Sequence, residues 1–204
     1  MEKTDFRKEW KYLYQPSKKE FQIVEVPLLH FLKVDGHGDP NTAREYSLAL
    51  EALYAVGYKI KFLSKKADRD YVVPPLEGLW WAEDMDTFTS GRDKSQWDWT
   101  MMIMTPEWIT TTIVEQAREE AGKKDLPALG KLRWEEYPEG LSVQILHQGS
   151  YDDEGPVLAR LHKEWMPENG YDFNGLHHEI YLSDPRRVEA TKLKTILRQP
   201  IRLN

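Results

Sequence analysis

A near-repeat constrains the fold of this chain more than any other feature. FLKVDGHGDP, from Phe31, leads into a helical stretch that stops at Gly57-Tyr58. VQILHQGSYDDEG, from Val143, leads into another that stops at Gly170-Tyr171. Gly36 and Gly57 lie 21 positions apart, and so do Gly149 and Gly170. Both spans read strand, glycine-rich acidic loop, helix, glycine stop, tyrosine. A period near 113 residues is too long for a solenoid and marks a duplicated unit.

Local signals supply the order inside each unit. Residues 23–26 form a short apolar strand closed by Pro27, and 30–34 a second. Asp39-Pro40 is a helix-start signal. Tyr46, Leu50, Leu53 and Gly57 then share one helical face, with the glycine as terminator. Residues 59–63 read as a strand, 65–70 as a charged turn, and 71–75 as extended chain, because proline restricts its predecessor. Strands at 79–82 and 99–104 flank a polar loop at 84–94. Thr105-Pro106 opens a helix that runs to about Gly122, and 123–129 connects the halves. The second half has strands at 131–137 and 141–147 and a helix from Pro156 carrying Val157, Leu161 and Trp165. Strands at 176–182 and 193–197 complete it. The expectation is one α+β domain over 1–204, with repeat units at about 21–122 and 131–204 and an N-terminal extension at 1–20. Two pseudo-symmetric strand-helix-strand-strand units form an antiparallel sheet, with helices on one face and a ligand cleft on the other.

Charge and composition exclude several functions. The chain carries 28 basic against 34 acidic residues, a net charge of −6, which argues against direct nucleic-acid binding through a basic stripe. It has no cysteine, hence no disulfide framework or thiolate chemistry. The charged N-terminus lacks a signal-peptide core, and no apolar run approaches the ~20 residues of a membrane span. A cytoplasmic protein without membrane partners is expected. Aromatic content is the outlier, with 8 Trp and 10 Tyr, five of the tryptophans between positions 80 and 108.

HHEIYLSDPRR, from His177, places a carboxylate inside an apolar strand pattern. Alternation puts His177, Glu179 and Tyr181 on one face and Ile180 and Leu182 on the other. An isolated strand carboxylate is costly unless water or a partner meets it, so Glu179 is either an edge residue or a pocket residue. Burial among tryptophans would make it a better base. Tyr181 shares its face and reads either as a hydroxyl donor or as a core tyrosine. Trp81, with Leu79, alternates against Trp80, so one of the two tryptophans faces away from the helices. Trp97, Trp99 and Met101 form another alternating set, suited either to holding a flat aromatic ligand or to cross-strand packing. His177 and His178 point to opposite faces, and His30, His37, His147 and His162 show no ligand spacing, so neither metal nor cofactor is expected. The loops DGHGDP and QGSYDDEG read as turns into helices, with Tyr151 at a pocket rim.

Glu179-Ile180-Tyr181, the duplicated units and the tryptophan cluster resemble the GyrI-like small-molecule-binding superfamily. More narrowly, YVVPPLEGLWW, DWTMMIMTP, GSYDDEGP and HHEIYLSDPRR resemble its stand-alone bacterial branch, over about Phe21 to Leu203. The resemblance implies a central pocket with Glu179 at its bottom. In members fused to transcription regulators that pocket takes cationic or aromatic drugs. Here the segment before Phe21 is too short for a helix-turn-helix, so a regulator is not expected. Some stand-alone members resemble cyclopropanoid cyclopropyl hydrolases, which add water across a strained ring. That implies Glu179 as the water-activating base and Tyr71 or Tyr181 as hydroxyl donor. Trp81, Trp99, Met101, Tyr151 and His177 would hold a hydrophobic or aromatic small molecule. The rival reading is a drug-binding module with Glu179 as counter-ion. The superfamily name also brings in DNA gyrase as a less favoured partner.

Overall fold

The computed structural model describes residues 3–83 and 93–204, so most of the expected 84–94 loop lies outside the described residues. The N-terminal stretch contributes β1 (Lys3–Thr4), α1 (Phe6–Glu9) and α2 (Lys11–Tyr14). β2 (Gln22–Val26) precedes the first unit, which is β3 (Leu29–His37), α3 (Arg44–Lys66), β4 (Asp70–Tyr71), β5 (Leu76–Trp81) and β6 (Asp98–Thr105). α4 (Thr111–Ala121) follows, with Thr110 as its cap, and then β7 (Arg133–Tyr137). The second unit is β8 (Gly140–Gln148), α5 (Gly155–Arg160), a π-helical turn (Leu161–Trp165), α6 (Met166–Glu168), β9 (Tyr171–Phe173), β10 (His177–Tyr181) and β11 (Lys194–Leu203).

The large sheet runs β2-β8-β11-β10-β5-β6-β3-β7, with β9 added along β11, and every ladder in it is antiparallel. The order β3-β6-β5 mirrors β8-β11-β10, so the duplication is real in space and its pseudo-two-fold axis passes between β5 and β10. β2 leads into β3 yet pairs with β8, while β7 leads into β8 yet pairs with β3. Each half thus lends its leading strand to the other. Only two residues join each lent strand to its successor. Three peptide units span at most ~11 Å, so the two ends of the sheet are drawn together and the sheet curls. Tyr137 of end strand β7 accordingly reaches His178 of β10, ring centroids 6.3 Å apart.

The helix of the first unit departs from expectation. It begins at Arg44 rather than Asp39, whose carboxylate instead accepts from the Asn41 amide at 2.9 Å in a preceding turn. It also passes straight through Gly57 to Lys66, so there is no strand at 59–63. The alternation in YKIKF competes with a helical stripe of Ala49, Ala52, Leu53, Val56, Ile60 and Ser64, all buried, and tertiary packing favours the stripe. A Cβ at Gly57 would stand 3.8 Å from Leu32 and Ile103, so this glycine serves close packing on the sheet rather than termination. β11 runs six residues past the expected end at 197, because β9 pairs with its last three residues.

Register assigns the faces. Leu32, Ile103 and Leu76 lie side by side on the α3 face. Following the ladders, Val34, Met101, Gly78 and Glu179 align on that same face. The Glu179 face is therefore the one α3 covers, not a bare opposite face. The opposite face is closed by the N-terminal segment: Gln144 and Arg198 donate to the Tyr12 and Leu13 carbonyls at 2.6 and 3.0 Å. Polar groups with fixed partners, which a 20-residue extension does not announce, make that cover.

Beneath the segment lies a buried ionic network. His178 Nδ1 is 2.7 Å from Glu139 and Nε2 is 2.9 Å from Glu77. Arg198 donates to Glu139 at 3.2 Å and to Gln144 at 3.0 Å. Two cations balance two carboxylates, which is what makes such burial tolerable. Burial opposes charge on His178, but Glu139 and Glu77 outweigh it and push its pKa up to about 9.

Two stability predictions follow from these contacts. The His178 contribution is complete below the unfolded value near 6.5 and is lost as pH rises through about 9. Denaturation midpoints should therefore fall between pH 7 and 10, and a flat profile would refute a charged imidazolium. At Gly36 an added Cβ would meet the Trp99 ring at 2.1 Å. Gly36→Ala should cost about 1–3 kcal/mol in denaturant titration, since the indole is fully buried and has nowhere to retreat.

Candidate functional site

β10 presents His177, Glu179 and Tyr181 toward α3, opposite Trp80, Gly78 and Leu76 of β5. Gly78 is the enabling residue. A Cβ there would stand 2.8 Å from Trp80 Nε1, 3.1 Å from Met101 Sδ and 3.2 Å from the Tyr181 hydroxyl. In that space Trp80 Nε1 donates to the Tyr181 hydroxyl at 2.9 Å. Tyr181 in turn donates to Glu179 Oε2 at 2.8 Å, and His177 Nε2 lies 3.2 Å from Oε1. The Glu179 side chain keeps 14% exposure and that of His177 keeps 9%, and β10 is paired on both sides, so the carboxylate is largely buried and not on a sheet edge.

A second carboxyl faces it. Glu154, immediately before α5, is buried and in hydrogen-bonding contact with Glu179. Burial pushes the Glu154 pKa well up, and the Glu179 charge pushes it further. Burial also opposes charge on Glu179, but His177, Tyr181 and Glu154 more than offset it and hold its pKa below the ordinary carboxylate value. These directions favour the proton on Glu154 and the charge on Glu179, whose two oxygens face the His177 ring nitrogen and the Tyr181 hydroxyl. The surrounding phenols stay neutral: burial and then the Glu179 charge raise Tyr46 and Tyr181, and raise Tyr151 to about 12.

Aromatic rings wall this pair. Tyr46 of α3 meets Trp99 edge-on at 5.2 Å and Trp80 at 6.3 Å. Trp97 meets Trp80 at 5.7 Å, and Tyr151 meets Tyr181 at 5.7 Å. Trp99 Nε1 donates to the Gly38 carbonyl at 3.2 Å, which fixes its ring across β3. On the far side, His162 projects from the π-helical turn to within 6.4 Å of His177, centroid to centroid. Such turns recur at functional sites because the extra residue re-aims a side chain. Burial holds the His162 pKa down to about 4. Glu154 Oε1, His177 Nδ1 and His162 Nε2 are buried without a hydrogen-bond partner. Each orphaned group costs ~1–3 kcal/mol until a ligand or solvent group meets it.

Of the residues singled out from sequence, Glu179, Tyr181, His177, Tyr151, Trp99 and Met101 share this face. Trp81 does not: the register opposes Trp80, not Trp81, to His177, and Trp81 turns to the other face of the sheet. Tyr71 is also elsewhere. It pairs with β1 and packs its ring edge-on against Trp108 at 6.1 Å. Glu154, Tyr46 and His162 were not anticipated as ligand-site residues, whereas Trp97 belongs to the alternating set read as a possible aromatic-ligand wall. A carboxylate before Gly-Pro reads as a helix start, and Tyr46 reads as the first residue of a core stripe, so neither carries a local signal. Among the described residues no group of three or more His, Asp or Glu side chains is placed to hold a metal ion.

Residues 19–202 match the profile of the GyrI-like small molecule binding domain. The chain is similar to an uncharacterized conserved protein from Listeria innocua: 37% identity and TM-score 0.89, over 98% of this chain and 100% of that one. It is also similar to a hydrolase from Listeria innocua: 36% identity and TM-score 0.84, over 98% and 100%. The EcmrR C-terminal domain, 13% identical with TM-score 0.56 over 91% of this chain and 98% of that one, shares the fold alone. No curated protein sequence matches the chain significantly.

This carboxyl pair gives a stability test. A carboxyl with a raised folded pKa weakens the fold once pH exceeds its unfolded value near 4.5. Glu154→Gln, a neutral mimic that still donates to Glu179, should raise the thermal midpoint at pH 8, by roughly 1–3 kcal/mol in stability. A lowered midpoint would show that Glu154 is ionised in the native state.

Proposed function

Because the chain belongs to the GyrI-like small-molecule-binding family, we propose that it hydrolyses a strained ring in flat, aromatic small molecules, of the kind found in cyclopropanoid DNA-alkylating natural products. The observation that carries this reading is a pair of facing carboxyls among tryptophans and tyrosines, Glu154 buried and Glu179 largely so, with Glu179 held by Tyr181 and His177. The similar Listeria innocua protein named a hydrolase supports it.

Glu179 holds and partly deprotonates a water molecule aimed at the cyclopropane methylene. His177 and Tyr181 fix the carboxylate's orientation, and Trp80 fixes Tyr181. The water oxygen bonds to the methylene, the ring carbon–carbon bond breaks, and its electron pair passes to the conjugated carbonyl oxygen as a phenolate. The Tyr181 hydroxyl already donates to Glu179, and Tyr71 lies outside the cluster, so Tyr151 is the phenol proposed to stabilise that oxygen. Tyr46 and Trp97 stack on the planar body, backed by the buried rings of Trp80 and Trp99, and exclude bulk water.

A second reading is favoured by one observation, an ionised carboxylate ringed by aromatic faces, which also suits a bound cation. There the chain sequesters cationic aromatics, and Glu179 is only their counter-ion. Turnover separates the two. Incubation with a spirocyclopropyl cyclohexadienone should give the water adduct in molar excess over protein by mass spectrometry. Glu179→Gln should lower kcat by about 10²–10⁴ while substrate still binds. No product beyond one equivalent, together with tight unchanged binding of a cationic dye, would sink the hydrolase reading.

A further inference from the structure

A groove between α3 and α4 encloses a cavity of about 460 Å³. Its wall is a ladder of rings at helical spacing. Tyr54 and Tyr58 lie 6.4 Å apart, Tyr58 and Phe62 6.5 Å, with their planes tilted by 31° and 33°. Tyr58 and Phe62 remain 47% and 52% exposed, because α3 fills the core with a different stripe. Single exposed aromatics are ordinary, whereas contiguous rings along an open cavity mark a binding surface.

The rim has a charge preference of its own. Lys59, Lys66 and Lys124 border the cavity against one carboxylate, Glu120. Glu120 is already engaged by Lys59 at 3.3 Å and Gln116 at 3.2 Å. Three ammonium groups against one carboxylate leave the rim net positive, on a chain of net charge −6. The volume selects the kind of occupant: ~300–1,000 Å³ suits a small molecule, while a stable protein partner needs ~800 Å² of each surface.

We propose that this groove binds an amphipathic anion, an aromatic or alkyl body carrying one carboxylate or sulfonate. The body lies on Tyr58 and Phe62, and the anionic head meets Lys66 and Lys124. Its charge preference is opposite to that of the Glu154–Glu179 site, and it stands whether or not that site turns over substrate.

The test is fluorescence titration of the full chain with 1-anilinonaphthalene-8-sulfonate, with dodecanoate as competitor. One probe per chain should bind and dodecanoate should displace it. Lys66→Gln/Lys124→Gln should weaken binding on the order of tenfold, since two exposed charge contacts are removed. Tyr58→Ala/Phe62→Ala should abolish saturable binding, and Glu179→Gln should leave it unchanged. All four groove positions are exposed, so these variants fold. Unchanged affinity in both double variants, or loss of the probe with Glu179→Gln, would overturn the proposal. So would sedimentation equilibrium showing a wild-type dimer that Tyr58→Ala/Phe62→Ala converts to monomer.

Discussion

The ladder between β5 and β10 is the interaction on which the rest depends. It is the seam between the two halves, and it sets Gly78 opposite Glu179. A side chain at position 78 would crowd both Trp80 and Tyr181, whose hydrogen bond ends on the Glu179 carboxylate. A one-residue slip would turn Glu179 into the ionic network and His178 toward α3, because strand side chains alternate. Register at the seam and chemistry at the site are thus one constraint.

β10 is polar on both faces, fully buried behind and half-buried in front, which is unusual for a central strand. Its two faces handle charge differently. Behind, His178 sits in a closed set of two cations and two carboxylates with little freedom to change partners. In front, two carboxyls face each other with their pKa values pushed apart, Glu154 up by burial and by the Glu179 charge and Glu179 down by its hydrogen-bond partners, and ring nitrogens of His162 and His177 stay unpaired. Among the described residues, only Glu77 Oε1 of the network behind lacks a partner, whereas in front Glu154, His177 and His162 each keep an unpaired atom. The first anchors the strand that carries the second.

The sequence was most legible where period and punctuation agreed. The repeated element order announced the duplication, although the equal glycine spacings do not mark equivalent positions: Gly57 lies inside α3 while Gly170 follows α6, and Gly36 lies inside β3 while Gly149 follows β8. The alternation around Glu179 placed Tyr181 and His177 beside it. It misled where one residue carried two meanings. Gly57 looks like a helix stop but is a packing glycine, visible only once Leu32 and Ile103 lie against it. Trp80 and Trp81 are indistinguishable without the β5–β10 register. Glu154 is the largest omission, since the partner that raises its pKa lies 25 residues away, on another element. Tyr71 fails for the complementary reason, because its neighbours come from the N-terminal stretch.

The exchange of leading strands carries one more consequence. β2 belongs to the first half by sequence and to the second by hydrogen bonds, and β7 the reverse. Neither half is a self-sufficient fold: severed in the connector before β7, each fragment would expose a bare sheet edge shaped to receive a strand of the other. An ancestral dimer of single units, once fused, would be locked into one topology by this mutual clasp. The clasp lets the two halves contribute unlike side chains to one face, Trp80, Trp97 and Trp99 from the first and Glu154 and Glu179 from the second, without coming apart.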